Sequence, residues 1–220
     1  MGTFVPDTRL RIGIFGGTFD PVHIGHITLA EEIKQHLQID QMHLLPCRLP
    51  PHRKIPGASN EDRLQMLRLA IADTSLLIDQ RELERDGPSY TFDTLQSLRH
   101  QYGAETSIVF CMGMDAFAHF DTWHRWQEIL SLAHLAIIAR ANQNPTLNEN
   151  IHAMLANCQC KDISTLKNTP AGNIYLTQLS QIPVSSTRVR QQLAQRTLSP
   201  DTLKPAVYRY IDERGLYLTP

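Results

Sequence analysis

Gly16-Gly17-Thr18-Phe19-Asp20-Pro21-Val22-His23-Ile24-Gly25-His26 is the stretch that decides how this chain is read. Before it stands Arg11-Ile12-Gly13-Ile14-Phe15, a short β-like run that the glycine pair ends. After it a helical pattern opens near Ile24 and runs to about Leu37, with Ile27, Ala30, Ile33 and Leu37 on one face. Strand, glycine turn and helix in that order set the turn at the C-terminal end of a strand, where ligands bind in open parallel sheets. Glycines let the backbone come close to a phosphate group, and the helix start aims N–H groups and its positive dipole end at the same place. His23 and His26 are three residues apart, so the first helical turn brings both to one side. The segment lacks the Gly-Lys-Ser/Thr ending of a P-loop, and its glycines do not match the dinucleotide fingerprint. Two histidines at such a turn suit hydrogen-bond donation to phosphate oxygens as a pyrophosphate departs.

Further along, residues 42–47 read as a second strand, stopped by Pro46 and the Pro50-Pro51 pair. Residues 60–72 are amphipathic, with Leu64, Leu67 and Ile71 at helical spacing. Residues 76–79 suggest a third strand, and 91–102 a helix with Thr91 as its N-cap. Apolar strands follow at 107–112, ahead of Gly113, and at 134–139; the last clear strand is 173–179. Terminal helices are expected at 187–194 and 206–214, with Gly215 as a stop. Residues 141–172, rich in Asn, Gln and Thr, read as an excursion with one short helix near 151–155. Strands alternating with helices predict an α/β fold with a parallel sheet covered on both faces. The expected organisation is a single domain over 1–220, with 186–220 as a C-terminal helical part.

Lys plus Arg number 21 and Asp plus Glu 22 in 220 residues, so the chain has no broad basic face for nucleic acid, although local basic pockets remain open to it. Cys111 lies in an apolar run and reads as a buried, inert thiol. Cys158 and Cys160, with His152 nearby, lack the spacing of common zinc motifs, so no metal ligands are assigned. No apolar stretch is long enough to cross a bilayer, and residues 1–11 lack the apolar core of a secretory signal. A cytoplasmic protein with reduced thiols is expected.

Val184-Ser185-Ser186-Thr187-Arg188-Val189-Arg190 precedes an amphipathic helix. Hydroxyls at a helix start can cap it while spare N–H groups hold an anion, and arginine adds fixed charge for nucleotide phosphates. Pro50-Pro51-His52-Arg53-Lys54 forms a stiffened basic loop whose Arg53 or Lys54 could clamp phosphate. Pro88-Ser89-Tyr90-Thr91 opens a helix whose N–H groups could accept a carboxylate, and Trp123 offers a flat face to an aromatic ring.

The first motif resembles the signature of the HIGH-type nucleotidyltransferase superfamily, and more narrowly that of bacterial nicotinate-nucleotide adenylyltransferases. The likeness runs from Ile12 to the C-terminus. It implies a Rossmann-like, doubly wound parallel sheet of the nucleotidyltransferase type with C-terminal helices. Residues 184–190 resemble the ISSTxxR motif with Val184 in place of Ile, which carries the family arginine to Arg190 and leaves Arg188 at a variable position. The basic loop departs from the family's PPHK, having Arg53 fourth and Lys54 one later.

By this resemblance His23, His26 and Arg190 are catalytic. ATP is bound by those residues with Gly16, Gly17, Thr18, Phe19, Gly25, Gly113, Asp115, Ser185, Ser186 and Thr187. The acceptor is held by Phe19, Arg53, Lys54, Tyr90, Thr91, Asp115 and Trp123, with Asp115 reaching a ribose hydroxyl. The implied substrates are ATP and nicotinate mononucleotide, with Mg²⁺ carried mainly by the ATP phosphates and no protein metal site. No nucleic acid or membrane partner is implied.

Attack by a phosphate monoester on the α-phosphorus of ATP needs no general base, because the second pKa of a monoester lies near ~6. That agrees with the absence of a Ser-His-Asp or paired-carboxylate pattern. Rival readings are a class I aminoacyl-tRNA synthetase, for which the chain is short and lacks a KMSKS-like loop, and a pantetheine-phosphate adenylyltransferase or cytidylyltransferase. Nicotinamide mononucleotide as acceptor and a non-catalytic nucleotide-binding regulator also remain.

Overall fold

The computed structural model describes residues 9–49, 56–139, 145–179 and 182–218. The first elements are β1 (Arg11–Gly17), α1 (Ile24–His36), β2 (Gln41–Pro46), α2 (Asn60–Ile71), β3 (Leu77–Ile78) and α3 (Arg81–Glu84). Next come α4 (Thr91–Tyr102), β4 (Ser107–Gly113), α5 (Met114–Phe117), a 3-10 turn (Phe120–Thr122), α6 (Trp126–Leu132) and β5 (His134–Ala139). The chain ends with α7 (Glu149–Cys158), β6 (Gln159–Cys160), α8 (Ser164–Asn168), β7 (Ile174–Gln178), α9 (Ser186–Ala194), a second 3-10 turn (Pro200–Thr202) and α10 (Pro205–Glu213).

The strands make a seven-stranded sheet in the order β3-β2-β1-β4-β5-β7-β6. Pairs β2–β3, β4–β5, β5–β7 and β6–β7 are parallel. Strands of a parallel sheet are covered on both faces and read as continuous apolar runs, which is why 107–112 and 134–138 are buried without alternation.

The chain divides into two compact units, each assembled from three segments. The first takes Met1–Ile14, Leu37–Gln41 and Tyr90–Gln178. Its core joins Ile108, Phe110, Leu135 and Ile137 to Leu95 and Leu98 of α4 and Ile129 of α6. Arg99 closes it with N–H groups donated to the carbonyls of Gly103, Ala104, Thr106, Leu132 and Pro170, so one side chain satisfies carbonyls from three separate places in the chain. Cys111 is buried there and its thiol is pushed up to about 12, as expected of an inert core cysteine.

The second unit takes Phe15–His36, Met42–Ser89 and Leu179–Pro220. The expected apolar face of α1 is the buried one, and Met66, Leu67, Val207 and Ile211 add α2 and α10 to that core. Helix α10 ends as the glycine predicts: Gly215 has φ 63°, its N–H reaches the Asp212 carbonyl and Leu216 N–H reaches that of Ile211.

Three expectations need correcting. Among its described residues the 141–172 excursion contains two helices and an additional strand, β6, where a single short helix was expected. A strand of two residues is too short for any sequence period to show. Thr91 is the first residue of α4 and not its cap; Tyr90 holds the cap position and makes no side-chain cap bond. On α2 the buried face is Asp62, Arg63, Met66, Leu67 and Ala70, with Leu64 and Ile71 only half-buried. Polar partners turn the helix: Asp62 accepts from Ser59 and Tyr210, and Arg63 donates to the Thr18 carbonyl and Asn60.

His134 on β5 is fully buried; its Nδ1 accepts from Asn173 N–H, so Nε2–H is the donor to the Thr169 carbonyl. Burial pushes its pKa down to about 4, so the folded chain takes up this proton later than the unfolded one. The stability of the neutral ring is therefore present above the unfolded value and lost as pH falls from about 6.5 towards 4, a change on the order of 3 kcal/mol. Urea unfolding across this window should give a shallower pH slope for His134→Gln than for the wild-type chain; equal slopes would remove His134 from the account.

Candidate active site

Within the second unit, the turn after β1 is built on one contact. Phe19 has a left-handed φ of 49° and is 1% exposed. Its ring lies on Gly17, where an added Cβ would stand 2.9 Å from Phe19 Cζ, so no side chain fits at residue 17. The rest of the turn is pinned by hydrogen bonds. Cys47 N–H donates to the Gly17 carbonyl at 3.0 Å, and Arg63 Nη1 to the Thr18 carbonyl at 2.7 Å.

The histidines meet as the three-residue spacing predicts. Their rings stack with centroids 3.7 Å apart and planes at 21°. His23 N–H donates to His26 Nδ1 at 3.2 Å, which leaves the proton of the neutral His26 ring on Nε2. His23 is buried, its pKa is pushed down to about 4 by that burial, and its Nδ1 has no partner among the described residues. It is therefore neutral near pH 7 and offers hydrogen bonding in place of charge. Gly25 makes room for it, since a Cβ there would lie 3.2 Å from His23 Nδ1.

The second motif joins the first directly. Ser185 caps α9 by accepting from Arg188 N–H, and Ser186 Oγ donates to the Pro21 carbonyl at 3.0 Å. Arg190 Nη1 donates to the Asp20 carbonyl at 2.6 Å, and Nη2 reaches Thr187 Oγ1 at 3.4 Å. Further N–H groups of this half-buried guanidinium are left for an anion, whereas Arg188 is exposed, as its variable position suggests.

Asp20 was absent from the sequence-derived set. Its buried carboxylate accepts from Gly57 N–H at 2.7 Å, Ala58 N–H at 3.1 Å and Tyr217 O–H at 2.6 Å, and lies 3.7 Å from Arg190 Nη1. The Asp-Pro pair stands inside the quoted motif, but partners at 57 and 217 leave no local signal. Phe19 is brought to the cluster with its ring edge-on to His26 at 5.0 Å, yet burial makes it a support for the histidine pair. Arg53 and Lys54 lie outside the described residues.

The other residues belong to the first unit. Gly113 ends β4 and Asp115 is exposed in the first turn of α5. Trp123 is half-buried, set against Phe120 at 5.3 Å and Phe110 at 6.2 Å. Tyr90 stacks on His124 at 4.5 Å, a residue not singled out from the sequence. Among the described residues, no group of three or more His, Cys, Asp or Glu side chains could hold a metal ion, and no helix is long and apolar enough to cross a membrane.

A glycine turn, a stacked histidine pair and an arginine anchored on the turn's own carbonyl lie together here, and a cytidylyltransferase-like family model matches residues 14–192. A "probable nicotinate-nucleotide adenylyltransferase" of Cellvibrio japonicus is 46% identical over 211 residues, covering 95% of this chain and 99% of the relative. One of the same name from Chromohalobacter salexigens is 39% identical, over 94% of this chain and 95% of its own. The chain belongs to the nicotinate-nucleotide adenylyltransferase family. In fold it is also similar to a Plasmodium falciparum nicotinic acid mononucleotide adenylyltransferase complexed with NaAD, with a TM-score of 0.71 at 20% identity over 95% of this chain and 98% of that one.

Gly25→Ala is expected to keep the helix, alanine being the better helix former by about 0.5–1 kcal/mol, while displacing the histidine stack. Nitrogen-15 spectra of the imidazoles should show both His23 and His26 signals moved at an unchanged Tm. Unmoved signals would mean that the ring has slack at this contact.

Proposed function

We propose that this chain transfers the adenylyl group of ATP to nicotinate mononucleotide, giving nicotinate adenine dinucleotide and pyrophosphate in the cytoplasm as a step of NAD biosynthesis. The observation that carries the reading is the junction of the two motifs, with Ser186 and Arg190 bonded to the carbonyls of Pro21 and Asp20 beside the stacked histidines. The names of the relatives support the choice of acceptor.

The acceptor's phosphate monoester is largely dianionic at neutral pH, its second pKa being near ~6, and attacks the α-phosphorus without help from a base. The P–O bond to the pyrophosphate breaks as the new one forms. The protein then has to position the partners and neutralise charge. His26 donates Nε2–H to a phosphate oxygen, and neutral His23 orients it through the stack and the 3.2 Å backbone bond. The glycine turn and the start of α1 offer N–H groups to the phosphates, with Thr18, Ser185, Ser186 and Thr187 around them and Arg190 on the distal ones.

The Asp20 carboxylate is already filled by Gly57, Ala58 and Tyr217, so the turn holds no spare acidic ligand. Mg²⁺ would accordingly arrive on the ATP phosphates and supply charge neutralisation there. In the first unit, Asp115 serves a ribose hydroxyl, Trp123 the flat pyridine ring, and Tyr90 with Thr91 the nicotinate carboxylate at the start of α4. Arg53 and Lys54 are assigned to the acceptor phosphate.

Pyrophosphate release with ATP and a panel of acceptors tests the reading. Turnover should be highest with nicotinate mononucleotide, lower with nicotinamide mononucleotide, and absent with pantetheine phosphate. His26→Ala should lower kcat at least about 100-fold with Tm nearly unchanged, the loss typical of a donor to developing charge. A folded His26→Ala protein with near-normal turnover would sink the assignment.

A further inference from the structure

Resting on the reading of Arg190 as a phosphate ligand, we infer that Asp20 and Tyr217 form a latch by which the C-terminal segment positions Arg190 for ATP. Tyr217 is a positioning residue, separated by 197 residues from the carboxylate it holds.

The case begins with Asp20. A carboxylate with 5% exposure must be supplied with donors, or its burial is too costly for the fold. Gly57 and Ala58 N–H groups supply two of them, fixing the entry to α2, and Tyr217 O–H supplies the third at 2.6 Å. With these in place the carboxylate stands 3.7 Å from Arg190 Nη1, and the same Nη1 donates to the Asp20 backbone carbonyl. Arg190 is thus held by both the charge and the main chain of one residue. Burial and the bond to Asp20 push the Tyr217 hydroxyl well above its ordinary range, so it remains a donor at any working pH.

The tail is arranged to deliver this hydroxyl. The Schellman ending at Gly215 reverses the chain after α10, and Tyr217 itself takes a left-handed φ of 61°, an unusual conformation for an aromatic residue. A second tie runs from the same segment to a different carboxylate, Tyr210 O–H to Asp62 at 2.8 Å. Asp62 also pairs with Arg214 and Ser59, and no bond joins it to Arg190. Tyr210 therefore anchors α10 without touching the phosphate ligand, which makes it the internal control.

The test is equilibrium binding of the non-cleavable analogue α,β-methylene-ATP, by calorimetry, to the full chain and to Tyr217→Phe, Tyr210→Phe, Arg190→Lys and Tyr217→Phe/Arg190→Lys. Losing a hydrogen bond to a charged group should weaken analogue binding by Tyr217→Phe about fivefold or more, while Tyr210→Phe lowers Tm and leaves the dissociation constant within about twofold. The double variant should bind no worse than Arg190→Lys alone, because the two act as one unit. In turnover assays KM for ATP should rise and KM for nicotinate mononucleotide should not. Equal weakening by Tyr210→Phe, additive effects in the double variant, or unchanged binding by Tyr217→Phe would each overturn the latch. Should Tyr217→Phe not fold, Asp20→Asn is measured in its place, with weaker analogue binding expected and unchanged binding overturning the proposal. Failure of the functional reading would show separately, as wild-type chain that binds the analogue and releases no pyrophosphate with nicotinate mononucleotide.

Discussion

The ring of Phe19 rests on the α-carbon of Gly17, and the shape of the phosphate turn follows from that contact. A left-handed φ at an aromatic residue costs on the order of 1–3 kcal/mol. Full burial of the ring returns roughly 2–3 kcal/mol, so the strained backbone and the buried ring stabilise each other. With Phe19 fixed, the chain leaves the strand at a set angle, Asp20 is directed inward, and the edge of the ring supports His26.

Beside the turn lie two opposite charges whose hydrogen-bond partners are mainly neutral groups. Arg63, fully buried, donates to the Thr18 carbonyl and Asn60; Asp20 accepts from two backbone N–H groups and a phenol. These bonds fix the direction of the Thr18 carbonyl and of the Asp20 side chain.

The strand, turn and helix from Arg11 to His36 were legible in the sequence because each obeys a local rule: an apolar run, a glycine pair, a 3.6-residue period. That His23 and His26 share a side was legible from their spacing; that their rings stack was not. A hydroxyl cap at the start of α9 was legible too, for Ser185 accepts from an N–H only three residues away. Asp20, Tyr217 and Arg63 were not, because their partners are distant in sequence, and polar residues on a helix read as its solvent face. The same bias misplaced the buried side of α2. Strand β6 escaped because two residues carry no period, and Thr91 was displaced by one position from its expected cap.

The two compact units are interleaved, each drawing on three separate segments, so the chain passes from one to the other five times. Neither can be encoded by a single stretch of gene. A recombination event that exchanged one unit for a homologous one would need several simultaneous crossovers, and a protease cut at any one boundary would leave both units still joined elsewhere. The residues assigned to ATP and to the acceptor are drawn from both units and therefore descend together, so a change of acceptor has to come by substitution at single positions, not by transplanting a module.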